Sequence, residues 1–169
     1  MTERSVAIPG IDEAGLGAVA RALSTAVREG GVIYLVGSLG AGKTTFARAL
    51  LTALGVGSRV KSPTYSLIES YEAGTLGVQH LDLYCIADPE EVEWLGLRDF
   101  AEPQLWLIEW PERAVGWIPE PDLVLRLAHA GAARDLVLES RGSKADGWLN
   151  AVRQSLPPGN RYSGLGRIP

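Results

Sequence analysis

A lysine and a threonine closing a run of glycines are the residues of this chain best suited to chemistry. Gly37, Gly42, Lys43 and Thr44 lie within GSLGAGKTT and spell G-x-x-x-x-G-K-[ST], with a further glycine at Gly40. That spacing suits a triphosphate. Glycines allow backbone angles and a closeness of approach that a Cβ would block. Successive N–H groups from Ser38, Leu39, Gly40, Ala41 and Gly42 through Lys43, Thr44 and Thr45 can then converge on phosphate oxygens, helped by the positive end of a helix. Lys43 adds a mobile cation for the β- and γ-phosphates, and the Thr44 hydroxyl is placed to ligate Mg²⁺. A glycine-rich turn can also exist for close packing alone, but here both flanks are those of a phosphate loop.

Such a loop needs a carboxylate near the metal, normally at the C-terminal end of a neighbouring buried strand. Glu109 directly follows the apolar run Leu105-Trp106-Leu107-Ile108 and is expected at the same sheet edge. It reads as a Walker B-like residue reaching Mg²⁺ directly or through water; the alternative is a solvated strand-end glutamate. Asp82, in HLDLY, is the second candidate, because a carboxylate between apolar neighbours is costly to bury unless paired or metal-linked. Spacing alone leaves it open between a water- or metal-orienting role and an ordinary edge-strand aspartate. Ser62, Thr64 and Ser66 resemble a switch segment in which a hydroxyl senses the γ-phosphate through Mg²⁺, although hydroxyls are common in extended loops. Trp110 can stack on a ligand or fill core, and core is the usual answer. His80 and His129 lack metal-ligand spacing and read as structural.

The elements that must position these groups are legible from period and punctuation. Val32 to Val36 reads as a strand feeding the loop, and FARALLTAL as a helix stopped by Gly55. Upstream, Ser5 to Ile8 reads as a short edge strand. Asp12 caps a helix to about Arg28, with Leu16, Val19, Leu23 and Val27 at helical spacing. Downstream, Thr64 to Tyr71 and LGVQHLDLY form a hairpin around Glu72–Thr75. Asp88-Pro89-Glu90-Glu91 opens a short helix that Gly96 closes. Leu105 to Ile108 is a strand buried on both faces. Asp122 to His129 pairs with Arg134 to Ser140 around Ala130-Gly131. Trp148, Leu149, Val152 and Leu156 line one face of a last helix. The predicted fold is α/β: a single P-loop NTPase domain over residues 1–156, its mixed, mostly parallel sheet flanked by helices, with inserted β-hairpins. Residues 157–169 read as a poorly ordered tail rich in proline and glycine.

Composition narrows the class. The chain has 169 residues, 46% hydrophobic and 21% charged, which bounds it to an ordinary globular domain with a sizeable core. Net charge −4 argues against gripping nucleic acid through a global field, so any such link is local or arranged by a partner. The lone cysteine, Cys85, excludes an internal disulfide and matches a reducing cytosol. The N-terminus carries charges and a proline where a signal peptide needs an apolar run, and no segment reaches the length of a membrane span. A cytoplasmic protein without a membrane association is expected.

In order along the chain, VIYLVGSLGAGKTTFARALLTALG, VKSPTYSLIESY, HLDLY, DPEEVEWLGLRDF and LIEWPER resemble the bacterial threonylcarbamoyladenosine-biosynthesis ATPases, the TsaE (formerly YjeE) family. The likeness covers roughly Val32 to Leu138. It implies a small P-loop ATPase with ATP and Mg²⁺ as cofactors, acting in the N6-threonylcarbamoyladenosine modification of tRNA. It further implies that the protein binds the TsaD–TsaB heterodimer and meets tRNA only through that complex. Its ATP hydrolysis, weak alone and partner-stimulated, would reset the transferase. By the same resemblance Lys43 and Thr44 hold phosphate and Mg²⁺, and Glu109 is the metal-associated glutamate. Asp82 and Trp110 serve activity, Thr64 is the switch hydroxyl, and Arg134 contacts nucleotide. Two positions depart from the family pattern: Ser38 stands where the family often has aspartate, and Cys85 replaces the arginine of LYR; if that arginine serves partner docking or nucleotide charge, Arg98 is one candidate to supply it.

Three other readings compete. A small-molecule or nucleotide kinase would use the same cradle, but no arginine-rich lid follows the loop helix. A regulatory GTPase would need [NT]KxD and DxxG in order; SKAD at Ser143–Asp146 and DEAG at Asp12–Gly15 fail on type or order. A nucleotide-binding scaffold would use ATP only to shape an interface.

Overall fold

Apolar residues two apart along the strands, and three or four apart along the helices, sort the core onto the two faces of one sheet. The computed structural model describes residues 4–57, 60–63 and 66–157. Its strands are β1 (Ser5–Ile11), β2 (Gly31–Val36), β3 (Ile68–Ala73), β4 (Leu76–Asp82), β5 (Gln104–Glu109), β6 (Leu123–Ala130) and β7 (Ala133–Ser140). The α-helices are α1 (Glu13–Ala26), α2 (Lys43–Ala53) and α3 (Ser143–Ser155).

All seven strands form one sheet in the order β1-β7-β6-β2-β5-β4-β3. Its centre is parallel, with β2 between β5 and β6 and β4 beyond β5. The hairpins β3–β4 and β6–β7, and the β1–β7 pairing, are antiparallel. This is the expected mixed sheet, its parallel pairs confined to the four central strands. Sequence order reverses on either side of β2, the switch point where open α/β sheets bind ligands beyond their strand C-termini.

One face carries the larger core. Leu16, Val19 and Leu23 of α1, Phe46 and Leu50 of α2, and Leu149 and Val152 of α3 pack there with Ile33, Leu35 and Leu107 of the sheet. Helix α1 touches both α2 and α3. The other face is covered by 3₁₀ turns instead of long helices: Val92, from the turn Pro89–Leu95, and Ala114, from Pro111–Ala114, pack with Trp106, Ile108 and Leu81.

The caps follow chemistry readable from the chain. Asp12 accepts from the Gly15 N–H at the head of α1, and Asp88 with Glu91 forms a reciprocal capping box. Three boundaries differ from expectation. β1 runs on to Ile11, its register shifting between Ile8 and Ile11, where Pro9 and Gly10 sit; proline is tolerated there because the strand is at the edge. Among the described residues the first strand of the β3–β4 hairpin starts at Ile68, since Leu67 has a positive φ of 64°; Thr64 and Tyr65 of the expected strand lie outside the described residues. The segment opened by Asp88 is 3₁₀, not α. No helix among the described residues is long and apolar enough to cross a membrane.

Candidate nucleotide-binding site

The site begins where β2 ends. After Val36 the chain passes so close to β6 that a Cβ on Gly37 would lie 2.5 Å from the Leu127 carbonyl oxygen. Gly42 then takes φ 110° as the residue before α2, with no side chain capping the helix. The first N–H groups of α2 thus keep their donor capacity for an anion at the loop.

Lys43 is only 5% exposed. Its Nζ donates to the carbonyls of Gly37 (2.6 Å) and Ser38 (2.9 Å), and lies 4.2 Å above the Trp110 ring. Burial pulls its pKa down, against the fields of Glu109, Asp82 and Glu112, which favour the ammonium. The cation therefore sits partly desolvated over the loop, balanced by carboxylates.

Those carboxylates come from adjacent strands. The β4–β5 register pairs Asp82 directly with Glu109. Glu109 is 2% exposed, so it is no solvated strand end. Its Oε1 accepts the Thr44 hydroxyl at 2.8 Å, and its Oε2 lies 2.6 Å from Nε2 of His80. Asp82, also buried, accepts the Tyr84 N–H at 3.1 Å. Its pKa is raised, first by burial and further by Glu109, while the Tyr84 N–H, His80 and Lys43 oppose the shift. Trp110 holds φ 57°, a left-handed conformation that costs a non-glycine residue about 1–3 kcal/mol and collects at functional sites. It turns the ring onto Lys43.

A cleft of about 280 Å³ brings together Leu39, Gly40, Gly42, Lys43, Thr44, Thr45, Asp82, Glu109 and Trp110, with Tyr84 at its wall. Ser38 and Ala41 belong to the loop but not to the cleft lining; Ser38 O accepts from Lys43, and Ala41 O accepts Arg134 Nε at 3.0 Å. Arg134, from β7, thereby braces the loop from behind. It also lines a second cavity of about 160 Å³ with Ile11, Asp12, Glu13, Gly42 and Thr45. Thr64 lies outside the described residues; beside it, Ser66 donates to Glu69.

Arg98 is not at the cleft. Its side chain is 90% exposed, pairs with Glu93 at 3.5 Å, and lines a different cavity with Trp117 and Ile118. Arg113 instead lies beside the cleft's aromatic wall, its guanidinium 5.6 Å from the Tyr84 ring centre and 5.9 Å from that of Trp110. The other residue missed from sequence is His80. Its signal was available: two residues before Asp82 on a strand, it must share Asp82's face.

A phosphate loop after the central strand, a helix opening at Lys43, and a buried acid bonded to the loop threonine define the P-loop NTPase fold class. Comparison with known sequences narrows the class. The chain belongs to the TsaE family: the profile of the Threonylcarbamoyl adenosine biosynthesis protein TsaE matches residues 11–136. It is 44% identical over 108 residues to the tRNA threonylcarbamoyladenosine biosynthesis protein TsaE of Haemophilus influenzae, covering 63% of this chain and 68% of that one. To the Bacillus subtilis protein of the same name it is 36% identical over 115 residues, covering 68% and 72%. The crystal structure of B. subtilis YdiB matches with a TM-score of 0.71 over 91% of this chain and 97% of that one; at 22% identity this likeness speaks for the fold. The family is that of tRNA threonylcarbamoyladenosine biosynthesis.

Proposed function

We propose that the protein is a Mg²⁺-dependent ATP hydrolase that resets the TsaD–TsaB threonylcarbamoyltransferase during tRNA modification. The observation that carries the chemistry is the Thr44–Glu109 hydrogen bond at the mouth of the phosphate loop, beside Lys43. The donor set fits Mg·ATP. Backbone N–H groups of the loop and the head of α2 bind the phosphates, and Lys43 exchanges the Gly37 and Ser38 carbonyls for phosphate oxygens. Thr44 gives its hydrogen to Glu109, so its oxygen lone pairs are free for a cation, with Glu109 holding the same cation directly or through water. Among the described residues no group of three or more His, Cys, Asp or Glu could hold a metal alone, so phosphate and water oxygens would complete the shell. When bound, Mg²⁺ would supply positive charge to offset that of the transferring phosphoryl group. Asp82 orients the water whose oxygen bonds to the γ-phosphorus as the bond to the ADP oxygen breaks, giving ADP, phosphate and a proton. The base and ribose take the cavity behind the loop, against Arg134. Loss of the γ-phosphate relaxes the Ser62–Ser66 segment, Thr64 included, and changes affinity for the partner pair. Contact with tRNA runs through that complex, in the cytoplasm.

The test is reconstitution with TsaD, TsaB, a threonylcarbamoyl donor and tRNA. Modified nucleoside should accumulate over repeated turnovers only with this chain and ATP, and stop near one turnover with a non-hydrolysable analogue. Equal accumulation with and without the chain would overturn the role.

A further inference from the structure

His80 is fully buried, yet among the described residues only one of its ring nitrogens has a partner. Nε2 meets Glu109 Oε2 at 2.6 Å, while Nδ1 has no hydrogen-bond partner among the described residues. The β4–β5 register sets Asp82 beside Glu109, so His80, one pleat back on the same face, reaches the carboxylate diagonally. Glu109 is thus gripped at both oxygens, by the Thr44 hydroxyl and by the imidazole. An imidazole kept for packing alone would be expected to satisfy both nitrogens or give way to an apolar side chain. Here the single satisfied atom is the one facing Glu109.

The two neutral tautomers are not equivalent. With hydrogen on Nε2, the ring donates to Glu109 Oε2 and leaves only a lone pair unmet at Nδ1. With hydrogen on Nδ1, a buried donor would go unmet and two acceptors would face each other across 2.6 Å. The contact selects the Nε2–H form.

We infer that His80 is a positioning residue for the metal: it fixes the rotamer of Glu109, so that this carboxylate and Thr44 present their oxygens to one cation. The inference rests on the reading of Glu109 as a metal-associated residue. Outer partners of this kind are worth about 10–100-fold in metal affinity.

Three substitutions separate positioning from packing. His80→Gln carries an amide nitrogen as far from Cβ as Nε2. His80→Asn carries one where Nδ1 stands, and His80→Leu carries none. Mn²⁺ binding to each ADP-loaded protein, followed by electron paramagnetic resonance, should stay within about threefold of wild type for Gln and weaken about 10–100-fold for Asn and Leu. Wild-type Mn²⁺ affinity in folded His80→Leu would overturn the inference. Should the leucine variant not fold, equal affinities for Gln and Asn would do the same. Nitrogen-15 shifts of His80 in the metal-free wild-type protein supply an independent readout: the Nε2–H pattern supports the inference and the Nδ1–H pattern refutes it. Glu109→Gln tells the two readings apart. If it leaves Mn²⁺ binding unchanged, the metal reading of Glu109 falls; if it weakens binding while His80→Leu does not, only the positioning role falls.

Discussion

Replacing Lys43 by alanine is expected to lower ATP turnover by about 10²-fold or more, the loss typical of deleting one preorganised group at developing charge. The protein should stay folded. Lys43 contributes two hydrogen bonds to loop carbonyls and a contact with Trp110, but its own burial opposes the charged form. Net loss of stability should therefore be small, about 1–2 kcal/mol. The larger consequence is electrostatic. Without the ammonium, Asp82 and Glu109 face incoming phosphates with no fixed cation between them, so nucleotide affinity should fall along with turnover. Hydrolysis and nucleotide binding measured beside thermal melting separate these effects. Unchanged hydrolysis in a folded variant would contradict the assignment of the loop.

The second large effect is expected at Glu109. Glu109→Gln keeps volume and one carbonyl oxygen, so Thr44 can still donate. The new amide group, however, faces His80 Nε2 with hydrogens on both sides unless the ring changes tautomer, which would leave an N–H unmet at the buried Nδ1. The carboxylate charge is lost at the same time. Half-maximal Mg²⁺ for turnover should rise about 10–100-fold, with a smaller change in the apparent affinity for ATP. A Mg²⁺ titration of initial rates at saturating ATP reads this directly. Normal turnover with an unshifted midpoint would remove Glu109 from the metal site.

Local signals and cross-strand relations were unequally legible. The phosphate loop is short-range information: an apolar strand, glycines where φ is positive or backbones nearly touch, and a helix opening at Lys43. The caps at Asp12 and Asp88 are local in the same sense. Glu109 followed from its place at the end of an apolar run. Its true surroundings did not, because the bonds to Thr44 and His80 depend on which strands are neighbours and in what register. His80 read as structural because metal-ligand spacing along the chain is the wrong question for a residue acting through a neighbouring strand. Period-two alternation would have placed it on Asp82's face, but only the β4–β5 pairing brings it to Glu109. Arg98 does not supply an arginine at the cleft. Its side chain is exposed and pairs with Glu93, while Arg113, four residues past Glu109, stacks where Tyr84 and Trp110 meet. The β1 extension was missed because Pro9 looks like a strand breaker until the strand is known to lie at the edge.

The most direct measurement is ATP hydrolysis by the purified chain, alone and with the TsaD–TsaB pair, with GTP as the control nucleotide. The account predicts slow hydrolysis alone, a clear increase with the pair, and a preference for ATP. Hydrolysis indifferent to the pair, or a preference for GTP, would leave the phosphate loop in place and contradict the resetting role in tRNA modification.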